Sequence, residues 1–292
     1  MNAARLVIAM PGSEALAADL ARHIEGEPGA LQTRRFPDGE TYLRIMSEVA
    51  EREVVVVCTL ARPDDQFLRL VFAARTVRDL GARSVTLVAP YLAYMRQDSR
   101  FQPGEAITSN QFAGLLSGEF DRLITVDPHL HRHKSLSEIY AIPAVALHAA
   151  PLLAEWIAAQ VERPVIIGPD IESEQWVSQV AAQAGAPHLV LSKSRRGDRN
   201  VEIAIPDLSQ WRGRQAVLID DIVSSGRTMI EAAQGLLQQG LAPPVCVAVH
   251  ALFAEEAFVR LSAVASQVVS TDTVPHQSNA ISVAELIASA LR

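Results

Sequence analysis

The sequence predicts an α/β protein of two tandem domains, each a mainly parallel sheet flanked by helices. Three observations carry this prediction. Short apolar runs alternate with helical apolar spacing along the whole chain, the pattern of repeated β-α units. The runs are continuously apolar, as in Val54–Cys58, which fits strands buried on both faces. The order restarts midway, where a new cycle opens at Val165 after an earlier one closes at Leu147. A chain of 292 residues is long enough for two domains. The boundary is expected near residues 146–150, giving domains 1–147 and 148–292.

In chain order, Leu6–Ala9 is expected as a short strand and Glu14–Glu25 as a helix with apolar positions at Leu16, Leu20 and Ile24. Val54–Cys58 is a central strand. Asp64 and Asp65 open a long helix that Gly81 closes. Ser84–Ala89 is a strand running into Pro90, and Ser109 is expected to cap a helix over 110–116. Leu123–Val126 and Ala144–Leu147 are strands, followed by a helix over Pro151–Gln160. In the second half, Val165–Ile167, Leu189–Leu191, Val201–Ile205, Ala216–Ile219, Val245–Val249 and Val268–Val269 read as strands. Ser173–Ala184, the stretch after Gly226 and two later segments read as helices. The two halves look architecturally alike, without a strong residue-level repeat.

Hydrophobic residues make up 49% of the chain and charged residues 20%, which allows large cores and excludes disorder. The net charge of −7 argues against nucleic acid or an anionic membrane surface as the main partner. It leaves phosphorylated small molecules open, because local arginines decide their binding. Cys58 and Cys246 each sit in an apolar run and read as buried core thiols, which suits a reducing compartment. The apolar run near the N-terminus is too short for a signal peptide or a membrane span. A soluble cytoplasmic protein is expected.

The most informative stretch is Ala216–Gln239. An apolar strand leads into Asp220 and Asp221, then Ile222 and Val223, then Ser224, Ser225, Gly226, Arg227 and Thr228, then a helix. A hydroxyl-rich turn at a helix start can aim N–H groups and three hydroxyls at an anion, with the positive end of the helix dipole behind them. The adjacent carboxylates suit sugar hydroxyls or a metal. A merely capped helix start would explain the turn but not two acids at the end of a buried strand, where unpartnered carboxylates are costly. The stretch therefore reads as a site for a phosphorylated sugar. It lacks the glycine–lysine pattern of a P-loop and the glycine fingerprint of a dinucleotide fold.

In parallel sheets, ligands sit beyond the carboxyl ends of the strands, so polar residues there are the ones to question. Five clusters qualify. Phe36-Pro37-Asp38-Gly39-Glu40 reads, on composition alone, as a hairpin turn. Arg96-Gln97-Asp98 follows a strand and reads equally well as a phosphate contact or a surface loop. Asp127-Pro128-His129 is a reasonable metal arrangement at a strand end, and His131 and His133 are weaker candidates. Asp170 is another strand-end carboxylate, suited to Mg2+ in company with phosphate oxygens. Lys193-Ser194-Arg195-Arg196-Gly197-Asp198-Arg199 is a cationic loop, either simply solvated or a flap over a polyphosphate.

The acid pair and loop match the phosphoribosyl diphosphate (PRPP) motif of type I phosphoribosyltransferase-fold proteins. With the other clusters in order, nearly the whole chain resembles the ribose-phosphate diphosphokinase (PRPP synthetase) family. Phe36–Glu40 matches F-x-D-G-E, and Pro90 to Asp98 matches P-Y-x-x-Y-x-R-Q-D. Asp127 and His129 match D-x-H, Pro169-Asp170 matches P-D, and Lys193 and Arg195 match the flexible Lys-x-Arg loop. Arg100–Thr108 is similar to the archaeal-type members.

The resemblance implies two tandem type I phosphoribosyltransferase-like domains and transfer of a diphosphoryl group from ATP to ribose 5-phosphate. It implies that Phe36, Asp38 and Glu40 hold adenine from a neighbouring subunit of a homo-oligomer, and that Arg96, Gln97 and Asp98 serve the ATP site. His129 and Asp170 would bind Mg2+, and Lys193 and Arg195 would stabilise the group in flight. Asp220 and Asp221 would hold ribose hydroxyls and metal, and Ser224, Ser225, Gly226, Arg227 and Thr228 the 5-phosphate. Two departures stand out: Ser224 and Arg227 break the usual D-T-x-G-T loop, and Glu172-Ser173-Glu174 replace glycines after Asp170. The alternatives are a PRPP-consuming phosphoribosyltransferase and a non-catalytic synthetase-associated regulatory protein.

Overall fold

The computed structural model describes residues 5–130, 132–196, 200–204 and 206–292. The first part of the chain runs β1 (Leu6–Ala9), α1 (Glu14–His23), β2 (Glu27–Gly29), β3 (Leu31–Arg35), β4 (Thr41–Ile45), β5 (Glu53–Val57), α2 (Pro63–Asp79), β6 (Ser84–Ala89), α3 (Thr108–Glu119), β7 (Arg122–Val126), β8 (Ala144–Leu147) and α4 (Ala150–Gln160). The second runs β9 (Pro164–Gly168), α5 (Glu174–Ala184), β10 (His188–Val190), β11 (Ser192–Arg196), β12 (Asn200–Ala204), β13 (Gln215–Val223), α6 (Arg227–Gln238), β14 (Val245–Ala251), α7 (Ala257–Ser262), β15 (Gln267–Thr271), β16 (Asn279–Ile281) and α8 (Ala284–Leu291).

The two halves repeat one plan. One six-stranded sheet has the order β2-β1-β5-β6-β7-β8 and the other β10-β9-β13-β14-β15-β16. Neighbouring strands within each are parallel, as the α/β expectation requires. Each half also carries an antiparallel hairpin inserted after its second strand, β3–β4 in the first and β11–β12 in the second. The central strands are buried on both faces, with Val54–Val57 and Val165–Ile167 almost wholly inaccessible, which is why they read as unbroken apolar runs.

The described chain divides into two compact units. One comprises the residues up to Leu147 with Thr273–Pro275 and Val283–Arg292, and the other comprises His148–Asp272 with His276–Ser282. The contiguous span 148–292 is therefore interrupted. The last helix, α8, packs on α1 of the first unit, as α4 packs on α5 of the second. Each of these helices follows the last strand of one sheet and belongs to the other unit. Apolar spacing shows which residues of α8 are buried, but not which sheet receives them.

Three local differences have physical causes. Ile107, and not Ser109, precedes α3, and Ser109 is buried inside the first turn. The strand expected at 216–219 extends through both acids to Val223, because β14 continues the parallel ladder opposite Asp220, Ile222 and Val223. The short strands β2 and β16 have too few apolar residues to announce themselves and are fixed by their neighbours in the sheet.

Candidate active site

The second unit gathers its chemistry at the carboxyl ends of β9 and β13, which are adjacent strands. Gly168 ends β9 because nothing larger fits: an added Cβ would stand 2.5 Å from Ser173 Oγ and 2.8 Å from Val177 Cγ2. The chain then reaches Asp170, whose carbonyl accepts the Ser173 hydroxyl at 2.6 Å. On β13, Asp220 Oδ1 accepts the backbone N–H of Asp221 at 3.0 Å. Burial pushes the Asp220 carboxyl well above its ordinary value, helped by the charge and hydrogen bond of Asp221 and by the charge of Asp170. The structure therefore brings Asp170, Asp220 and Asp221 into one electrostatic cluster.

The loop after β13 turns through Gly226, whose φ of +66° lies in the left-handed region that glycine tolerates best. The Ile230 N–H closes on the Gly226 carbonyl at 2.8 Å, so the first N–H groups of α6 have no intrahelical acceptor. Among the described residues, the hydroxyls of Ser224, Ser225 and Thr228 have no side-chain partner. Arg227 is directed along α6, where its Nε meets Glu231 Oε1 at 2.7 Å. Both side chains are exposed, so this pair is weak and an arriving anion can displace it.

Register shows why the first unit lacks the same site. Leu6 pairs with Val54 and Val54 with Val85, just as Ile166 pairs with Val217 and Val217 with Val245. Counting on from these pairs, Asp170 corresponds to Met10, and Asp220 and Asp221 correspond to Val57 and Cys58. All three replacements are apolar and fully buried. The first unit has the same frame at these positions without the acids.

The remaining candidates occupy several places. Phe36, Asp38 and Glu40 form the exposed tip of the β3–β4 hairpin. The turn is closed by Gly39 N–H to Phe36 O at 2.9 Å and Glu40 N–H to Asp38 Oδ1 at 3.1 Å. The Arg34 guanidinium lies 4.4 Å from the Phe36 ring centroid and 4.7 Å from that of Tyr42, which braces the exposed Phe36 ring. Arg96 is exposed beyond β6. Asp98 is turned inward: its side chain is 4% accessible and its Oδ1 is 3.3 Å from Arg132 Nε. His129 lies three residues beyond β7 in the first unit, whereas Asp170 lies two residues beyond β9 in the second. Lys193 and Arg195 lie on β11, in register opposite Ile203 and Val201, and residues 197–199 of the cationic stretch fall outside the described residues. His131 falls outside them too.

Both cysteines are buried and free, and burial raises each thiol to about 12. They are core residues without nucleophilic character at neutral pH. Among the described residues, no group of three or more His, Cys, Asp or Glu side chains stands as a metal-binding set, and no helix is long and apolar enough to cross a membrane. The carboxylate cluster nevertheless fits Mg2+. That ion takes one or two protein carboxylates together with phosphate oxygens and water, and its charge would offset both the burial and the neighbouring acids that raise Asp220.

Comparison with known proteins agrees with this geometry. Residues 6–118 match the profile of the N-terminal domain of ribose phosphate pyrophosphokinase, and residues 135–284 match that of the phosphoribosyl transferase domain. A ribose-phosphate pyrophosphokinase of Methanothermobacter thermautotrophicus is 36% identical over 290 residues, covering 98% of this chain and 100% of the relative. That of Methanosarcina acetivorans is 34% identical, covering 98% and 99%. The crystal structure of phosphoribosylpyrophosphate synthetase from Mycobacterium smegmatis shares the fold, with a TM-score of 0.85 at 23% identity over 100% of this chain and 98% of that one. With both halves matched and identity above 30% along nearly its full length, the chain belongs to the ribose-phosphate pyrophosphokinase family.

Proposed function

We propose that this protein is a ribose-phosphate diphosphokinase, converting ATP and ribose 5-phosphate to AMP and PRPP. The observation that carries the proposal is the cluster of Asp170, Asp220 and Asp221 set directly before the hydroxyl-lined turn Ser224–Thr228. The carboxylates suit the ribose hydroxyls. The unpaired hydroxyls and the first N–H groups of α6 suit the 5-phosphate. The C1 hydroxyl attacks the β-phosphorus of ATP in line, the bond to the α-phosphate oxygen breaks, and AMP leaves. Such a transfer rests on positioning and charge neutralisation.

Lys193 and Arg195 of the β11–β12 hairpin are assigned to the charge that develops on the transferred group. Phe36, Asp38 and Glu40 are assigned to adenine, offered to a neighbouring copy in a homo-oligomer. Arg96 and Gln97 are assigned to the nucleotide phosphates. Asp98 supports that loop through Arg132. His129 and Asp170, with the acid pair, would hold Mg2+, which supplies charge neutralisation and alignment of the phosphate oxygens. Two free thiols fit work in the reducing cytoplasm.

The direct test is to incubate purified protein with ATP, Mg2+ and ribose 5-phosphate and to quantify AMP and PRPP. Equal production of both is expected. PRPP consumption in the presence of a purine or pyrimidine base, without AMP formation from ATP, would favour the phosphoribosyltransferase alternative. No turnover under varied metal and phosphate would favour the non-catalytic one.

A further inference from the structure

The loop joining β14 to α7 runs beside the turn that carries Ser224 and Gly226, and the loop and the first residue of α7 meet that turn at three points. The Phe253 N–H donates to the Val223 carbonyl at 2.9 Å, and the Ala254 N–H donates to the Ser224 carbonyl at 3.0 Å. Ala257 Cβ stands 3.5 Å from where a Cβ on Gly226 would be. The loop adopts an unfavourable backbone to do this: Phe253 has φ +33° and Glu255 has φ +53°, both in the left-handed region that non-glycine residues avoid. Such a conformation persists only where surrounding contacts impose it.

Those contacts are aromatic. The Phe253 ring centroid is 4.7 Å from that of His276 and 5.3 Å from that of Phe258, and Phe258 and His276 are themselves 4.7 Å apart. His276 is fixed in turn: its Nδ1 lies 2.8 Å from Ser278 Oγ and accepts the Ser278 N–H at 3.1 Å. Phe253 also packs on the core that contains Val223, Met229 and Ile230.

The consequence follows from peptide geometry. In a planar trans peptide the N–H points opposite to the C=O of the same unit. Holding the carbonyls of Val223 and Ser224 toward the strap therefore turns the N–H groups of Ser224 and Ser225 to the other side of the loop. We infer that Phe253 is a positioning residue for the phosphate turn: its clamped ring holds a strap that fixes two backbone donors for the phosphoryl group of the sugar. This inference rests on the assignment of Ser224–Thr228 to that phosphate.

The test compares wild type, Phe253→Ala and Phe253→Tyr by steady-state kinetics and by calorimetric titration with ribose 5-phosphate alone. Phe253→Ala should raise the KM and Kd for ribose 5-phosphate about tenfold, with kcat and the KM for ATP within about twofold of wild type. Phe253→Tyr, which keeps the ring, should restore wild-type values. If Phe253→Ala does not fold, Phe258→Leu loosens the clamp while leaving Phe253 in place, and the same one-sided rise in KM is expected. Unchanged ribose 5-phosphate binding in a folded variant would overturn the inference. So would an equal loss in kcat and in both KM values with a fall in Tm, which is what a purely structural residue would give. Failure of the wild type to bind ribose 5-phosphate would instead overturn the assignment of the turn.

Discussion

Asp220 is a carboxyl whose surroundings oppose its ionisation. Its carboxyl lies in a desolvated strand end beside two other acids, and its proton affinity is raised well above the ordinary carboxylate value of 3.8. In the window between 3.8 and the raised value, the folded state keeps a proton that the unfolded state has lost. Stability therefore falls as pH rises through that window. Asp220→Asn removes the charge and leaves an oxygen to accept the Asp221 N–H, so without ligands it should melt higher than wild type. The gain should be small near pH 4 and grow as pH rises above it, at roughly 2–4 °C for each kcal/mol relieved. Turnover should be lost, and added Mg2+ should raise the melting temperature of wild type but not of the variant. Equal melting of variant and wild type as pH rises would show that the three acids do not strain one another. The acid pair stood out in the sequence because charge after an apolar strand is costly without partners, and the structure sets both acids on β13. Phe253 was not, because an aromatic in a loop looks the same whether it packs idly or clamps a strap.

At the scale of elements, the central strands and long helices were legible because each buries its own face. Pairing partners were not. The extension of β13 through its acids depends on a long β14 alongside. The placement of α8 depends on a groove formed by α1, β7 and β8, far away in sequence. Ala284, Ile287, Ala288 and Leu291 are buried there, and Arg122 Nη2 donates to the Ala290 carbonyl at 2.8 Å. Ile287→Ala should therefore destabilise the first unit by about 2–5 kcal/mol, the range for a buried large-to-small change. Hydrogen exchange gives the decisive readout: protection should fall in α1 and β8 and stay unchanged in α6 and β14. Loss confined to α6 and β14 would mean that the last helix serves the other unit.

For the whole molecule, the two halves share a frame but differ in the residues set on it. Both sheets share strand order and an inserted hairpin, yet only the second has acids where the first has Met10, Val57 and Cys58. The first hairpin carries Phe36, Asp38 and Glu40 instead, exposed at its tip with Phe36 38% accessible. If that tip serves adenine in a neighbouring copy, a complete site draws its hairpin from one chain and its cationic strand from another. Phe36→Ala should then raise the KM for ATP, and Lys193→Ala should lower kcat by orders of magnitude. Mixing Lys193→Ala with a second inactive variant, Asp38→Ala/Glu40→Ala on the Phe36→Ala background, provides the test. After dissociation and reassembly, some sites should combine an intact hairpin from the Lys193 variant with an intact cationic strand from the hairpin variant, restoring activity that neither parent has. Each mixed pair also contains one site with both defects, so recovery should be partial and should vanish on dilution below the assembly range. Mixtures as inactive as their parents, in samples shown to have exchanged subunits, would place hairpin and cationic strand in the same chain's site and remove the shared adenine site from the mechanism.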